Sequence, residues 1–151
     1  MSKFSQYFKL LFLILAIFMS SCSKSPEPNV QSPTSSLTKQ DGVKLSNQIK
    51  YLVKDSSIIS IADTNSMIPV LDNNSIVLIE KISDIQSLNI GDIIVYRNSD
   101  KSSEYYNKLI IHAIVSIDNN ITTKGYNNTK KDPAISYDNI EGRVFCIIYS
   151  K

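Results

Sequence analysis

The fold predicted from this sequence is mainly β: an antiparallel sheet coiled toward a barrel, preceded by one short helix. Three observations predict it. Apolar, β-branched runs of strand length recur along the second two-thirds of the chain. Clusters of Asn, Asp, Ser and Gly separate them, as turns require. An apolar period of helical type occurs once, at Leu45, Ile49, Leu52 and Val53, giving a helix with one face to pack. Many short strands with few helices fit an antiparallel β layer.

The strand runs, in order, are 57–62 (SIISIA), 75–80 (SIVLIE), 92–96 (DIIVY), 109–117 (LIIHAIVSI), 121–124 (ITTK) and 143–149 (RVFCIIY). The separators LDNN, NIGD, RNSDKSS, IDNN and GYNN lie between them. Two of these, around Asn73–Asn74 and Asp118–Asn120, predict tight hairpins. No internal repeat is present.

The N-terminal part has a different character. Lys3 and Lys9 precede a ten-residue apolar run, Leu10 to Met19, followed by Ser20, Ser21 and Cys22. A positive start, a short apolar core and small residues at the cut form the layout of an export signal. The run is short of the roughly 20 residues a spanning helix needs, although a retained anchor is the competing reading. MSSC resembles a bacterial lipobox, which implies lipidation of Cys22 and residues 1–21 as a lipoprotein signal peptide. The alternatives for Cys22 are a free thiol or a disulfide to Cys146. Residues 22–42, rich in Ser, Pro and polar side chains, read as a flexible tether, with a coil reach of about 25 Å. The β domain is expected over 43–151. These features predict an envelope protein, lipid-anchored to a membrane with its domain on the exported side.

Composition narrows the function. Sixteen Lys and Arg against fourteen Asp and Glu leave a net charge of +2, and no basic run interleaves with aromatics, so nucleic acid is not an expected partner. Two cysteines and one histidine cannot assemble a Cys/His zinc site, and no cofactor or metal is expected. Cys146, inside VFCIIY, reads as a small buried hydrophobe. The lone histidine, His112, is the sole imidazole available as a general base.

The segment 64–81 (TNSMIPVLDNNSIVLIEK) holds the most chemistry. Pro69 fixes its own φ and restricts Ile68, stiffening the chain after Ser66. A serine before a proline turn is by itself ordinary turn chemistry. Serine becomes a nucleophile beside a base. An imidazole with a pKa near 6.5 takes the proton near neutral pH and returns it to a leaving amine. A carboxylate on the other ring nitrogen fixes the tautomer. Strand alternation lets His112 face a cleft while Ile111 faces the core.

Four boxes in order resemble the signal peptidase superfamily. Ser66-Met67-Ile68-Pro69 resembles its nucleophile turn, GDIIVY (91–96) its Gly-Asp strand, LIIHAIV (109–115) its base strand, and KGYNNTKKDP (124–133) its Gly-Asp-Asn-Asn box. A histidine at the base position is similar to the subgroup of the endoplasmic reticulum, archaea and some Gram-positive bacteria. Spanning about residues 55–145, the resemblance implies a membrane-anchored serine endopeptidase with Ser66 as nucleophile, His112 as base and Asp132 as the orienting acid; Asp138 is the nearby rival. It implies an oxyanion hole from the Ser66 N–H and the Thr64 hydroxyl. The implied substrate is an exported or membrane-associated protein met at the membrane surface. Ala113 stands where the family has Arg, Tyr126 where it has Asp, and Asn73-Asn74 where it has Gly-Asp. The rival chemistry is a Ser–Lys pair using Lys108 or Lys124. The rival of another class is an inactive lipoprotein that uses the same fold as an envelope binding module.

Overall fold

The structure, a computed structural model, describes residues 31–151 except 63. The predicted signal segment, Cys22 and the first part of the tether lie outside the described residues. Among the described residues no helix is long and apolar enough to cross a membrane.

One helix, α1 (Lys39–Leu52), precedes six strands: β1 (Ser56–Ser60), β2 (Ser75–Glu80), β3 (Ile93–Arg97), β4 (Leu109–Ile117), β5 (Ile121–Lys124) and β6 (Ile140–Tyr149). They form one antiparallel sheet in the order β1-β2-β6-β3-β4-β5. The mainly β prediction therefore holds, and the sheet is open, which is compatible with the expected barrel-like coiling. β2, β4 and β5 have the expected bounds. β6 begins three residues earlier than its apolar run, because Ile140 and Gly142 pair with Tyr96 and Val95 of β3, and Gly142 also lies close to β2. A Cβ there would come 2.7 Å from the Glu80 carbonyl oxygen.

The helix starts ahead of the expected domain edge. Thr38 caps it, its hydroxyl accepting the Asp41 N–H at 3.2 Å. Ser35 Oγ donates to the Tyr149 carbonyl, and the Lys151 N–H to the Leu37 carbonyl at 3.0 Å. The helix and its cap thus begin within the stretch read as tether. The packed face also differs from the expected one. Gly42 and Ser46 are buried and Ile49 packs on the core, while Leu52 is 78% exposed and Leu45 38%. The physical reason is close approach. A Cβ on Gly42 would lie 2.9 Å from Ile76 Cδ1, so small residues, not large ones, sit where the helix meets the sheet.

The Asp118–Asn120 hairpin joins β4 to β5 as predicted, with Ile117 opposite Ile121. The Asn73–Asn74 turn is not a tight hairpin. β1 does pair with β2, but the connection runs through all of residues 61–74. Asn74 instead closes a side-chain turn, its N–H donating to Asp72 Oδ1 at 2.9 Å. That long connection is where Ser66 sits.

Burial on both faces of the sheet makes three apolar clusters. Ile76, Leu78 and Ile148 pack against Leu37 and Ile49. Val77, Ile79 and Val95 receive Met67 and Leu71 from the β1–β2 connection. Ile94, Tyr96, Ile114, Ile121, Ile135 and Leu88 form the third. The second and third clusters flank the cleft described next.

Candidate active site

Ser66 is held by its neighbours rather than by a regular element. Met67 and Leu71, 2% and 1% exposed, anchor the turn in the core, each contributing about 2–3 kcal/mol of apolar burial. Val70 and Leu71 N–H groups both return to the Met67 carbonyl, and Tyr149 Oη donates to the Val70 carbonyl at 3.0 Å. The Ile68–Pro69 peptide is cis. Asn65 takes φ 57°, a left-handed conformation that asparagine tolerates better than most residues. From outside, the 125–128 turn ties the same segment down: Asn127 N–H donates to the Ser66 carbonyl at 2.9 Å, and Asn127 Nδ2 to the Asn65 carbonyl at 3.2 Å.

His112 lies mid-strand on β4, opposite Ile94, and shares a face with Tyr96 and Ile114. It is 7% exposed. Its Nδ1 lies 2.6 Å from Asp132 Oδ2. Asp132 is fixed twice over by Thr123: its N–H donates to the Thr123 carbonyl at 2.8 Å, and Thr123 Oγ1 donates to Oδ2 at 2.7 Å. Burial works against the ionised carboxylate of Asp132. The hydrogen bonds from His112 and Thr123, the His112 charge and a contact from Tyr96 outweigh it and hold the carboxyl below its usual range. Burial pushes the Tyr96 phenol far above its ordinary value, so it remains an O–H donor.

With Nδ1 occupied by Asp132, Nε2 is the free ring nitrogen. It points at Gly125, where a Cβ would fall 2.9 Å from Nε2 and 2.5 Å from the Ser66 carbonyl oxygen. His112 and the Ser66 backbone therefore meet across one glycine. Ser66 Oγ itself is 3.1 Å from Thr64 Oγ1, and no Ser66–His112 hydrogen bond is made among the described residues.

Ser66, Thr64, His112 and Asp132 all line one cleft of about 860 Å³. Ile59 and Ile61, Val95, and Ile110 with Ile111 supply its apolar walls. Lys108 lines it as well; Lys124 Nζ is engaged with the Asn128 carbonyl at 3.1 Å. Asp138 lies in the short 3₁₀ turn Tyr137–Asn139 and does not line the cleft. Ala113 is buried between Ile93 and Lys124, and Tyr126 is 45% exposed in the turn. Among the described residues no cluster of His, Cys, Asp or Glu could hold a metal ion.

Thr123 and Tyr96 are the site residues that sequence reasoning missed. Tyr96 ends an apolar strand run and reads as core. Thr123 reads as a strand former, and its one clue was a polar hydroxyl on the inward side of an alternating strand. No family model matches the sequence, and neither does any curated protein.

Proposed function

We propose that this chain is a serine endopeptidase of the signal peptidase type, held at a membrane, cleaving exported or membrane-associated proteins. Ser66 Oγ attacks the scissile carbonyl while His112 Nε2 takes its proton, giving a tetrahedral oxyanion and an imidazolium. His112 then gives that proton to the amine nitrogen, the C–N bond breaks and the amine leaves an acyl enzyme, which water, deprotonated by His112, hydrolyses. Asp132 stabilises the imidazolium and keeps the proton on Nδ1. The Ser66 N–H, with the Thr64 hydroxyl, receives the developing oxyanion. The cleft walls take an apolar stretch of substrate. Localisation follows from the N-terminal signal pattern and Cys22.

One observation carries the reading. The sole imidazole of the chain is bonded through Nδ1 to a half-buried carboxylate and turns its other nitrogen toward the Ser66 segment, in a cleft large enough for peptide. Catalytic hydrogen bonds are commonly long before substrate arrives, so a Ser66 hydroxyl turned to Thr64 is compatible with a base awaiting it.

That same Ser66–Thr64 bond favours the second reading, a binding module in which the hydroxyl is never activated. Covalent labelling separates the two. A serine-acylating β-lactam or lipopeptide inhibitor should add its mass to the full chain, and Ser66→Ala should abolish the adduct. His112→Ala, with Lys108 and Lys124 retained, should slow labelling about 10²–10⁴-fold. Undiminished labelling of His112→Ala would end the His112 mechanism in favour of a lysine base. No adduct on the unmodified chain would favour the module.

A further inference from the structure

Behind the His112–Asp132 pair stand two hydroxyls that the mechanism above does not use. Thr123 Oγ1 is fully buried, 2.7 Å from Asp132 Oδ2 and 3.3 Å from the hydroxyl of Tyr96, which is 3% exposed. A threonine hydroxyl has one proton and two lone pairs. Given to the carboxylate at the shorter distance, that proton leaves Thr123 Oγ1 to accept the Tyr96 O–H. The result is a directed chain, Tyr96 to Thr123 to Asp132, which meets His112 Nδ1 on the same carboxylate oxygen.

We propose that Thr123, backed by Tyr96, is a positioning residue that keeps the Asp132 carboxylate ionised and aimed at His112 Nδ1, so that Nε2 stays bare and faces Ser66. This rests on the protease reading for its catalytic meaning, although the arrangement itself can be tested without turnover.

Three features favour the role over simple core packing. First, Thr123 already secures the Asp132 backbone through its carbonyl, so the side-chain bond is a second and separable restraint. Second, Oδ2 accepts two donors at 2.6 and 2.7 Å, an arrangement that suits a carboxylate and not a carboxylic acid. Third, a half-buried carboxyl drifts toward the neutral form when such donors are removed, because burial disfavours charge. A neutral acid could not stabilise the imidazolium.

The experiment uses the full chain with ¹³C-labelled aspartate and ¹⁵N-labelled histidine. The single histidine gives one set of ring signals. In the native chain and in Thr123→Ser, the Asp132 carboxyl should titrate below the ordinary range and the ring should carry its proton on Nδ1. Thr123→Val should raise the carboxyl midpoint by about one pH unit, the effect of one lost hydrogen bond to the charged form. Tyr96→Phe, which keeps the ring, should raise it by less. In labelling or turnover, Thr123→Val should depress kcat with KM little changed, and Thr123→Ser should restore it. An Asp132 midpoint unmoved in Thr123→Val overturns the proposal. If Thr123→Val does not fold, an unmoved midpoint in Tyr96→Phe overturns it instead. A raised midpoint with no acylation of the native chain at Ser66 sinks the protease reading alone.

Discussion

Gly125 is the residue on which the candidate site closes. Its backbone needs no left-handed conformation; what it supplies is the absence of a side chain. The nearest atom to an added Cβ is the Ser66 carbonyl oxygen at 2.5 Å, a backbone atom that cannot swing away, and His112 Nε2 and Asn128 Nδ2 follow at 2.9 Å. Gly125→Ala must therefore push the Ser66 segment and His112 apart. A displacement of about 1 Å in a reacting pair costs on the order of 10²-fold in rate. We expect kcat in Gly125→Ala to fall by that order, with an unchanged near-UV spectrum and a small loss in Tm. Unaltered acylation kinetics would mean that the Ser66–His112 spacing is not set here. The glycine was visible in the sequence as part of a turn. Its contact with both partners was not, because β4–β5 pairing sets it beside His112 while Ser66 arrives from the distant β1–β2 connection, held by the Asn127 N–H.

At the scale of elements, the sheet depends on another glycine for a different reason. β6 crosses between β2 and β3, and both ladders shift register, between Leu78 and Ile79 on one side and between Val95 and Tyr96 on the other. Gly142 lies at this crossing, where a Cβ would meet the Glu80 carbonyl oxygen at 2.7 Å and Ile79 Cδ1 at 3.0 Å. Gly142→Ala should therefore overpack the centre of the sheet and cost about 1–3 kcal/mol, read as a lower urea midpoint at unchanged slope. A variant as stable as the native chain would show that β6 has room to move. Strand existence was legible because β-branched runs such as SIVLIE and LIIHAIVSI alternate with turn residues over short distances. Strand ends were not, since Ile140–Gly142 pair through backbone with no apolar run to mark them. The helix was legible from its period, but its buried face was not. Hydrophobic pattern favours Leu45 and Leu52, whereas the contact with β2 and β6 is too close for them and selects Gly42 and Ser46. Likewise Asn73–Asn74 has hairpin chemistry, but the ladder pairs β2 with a strand that lies a full loop upstream.

For the folded unit as a whole, the candidate site is also a stability element, because the His112–Asp132 hydrogen bond ties β4 to the segment after β5. The folded-state pKa of Asp132 is depressed, so its contribution is fully present above the unfolded carboxyl value, about 3.9, and is lost as pH falls through the lower folded value. Asp132→Asn deletes that contribution at every pH. The Tm gap between native chain and Asp132→Asn should accordingly be open above about pH 4 and narrow steadily on further acidification, as the native carboxylate takes up its proton. Activity should part from stability. At neutral pH, where folding is least affected by acid, Asp132→Asn should still lower turnover by up to about 10⁴-fold, since an amide can leave His112 in the wrong tautomer. A Tm gap that stayed constant down to acid pH would mean that Asp132 is not held ionised by its neighbours. The directed chain from Tyr96 would then be packing and not electrostatics.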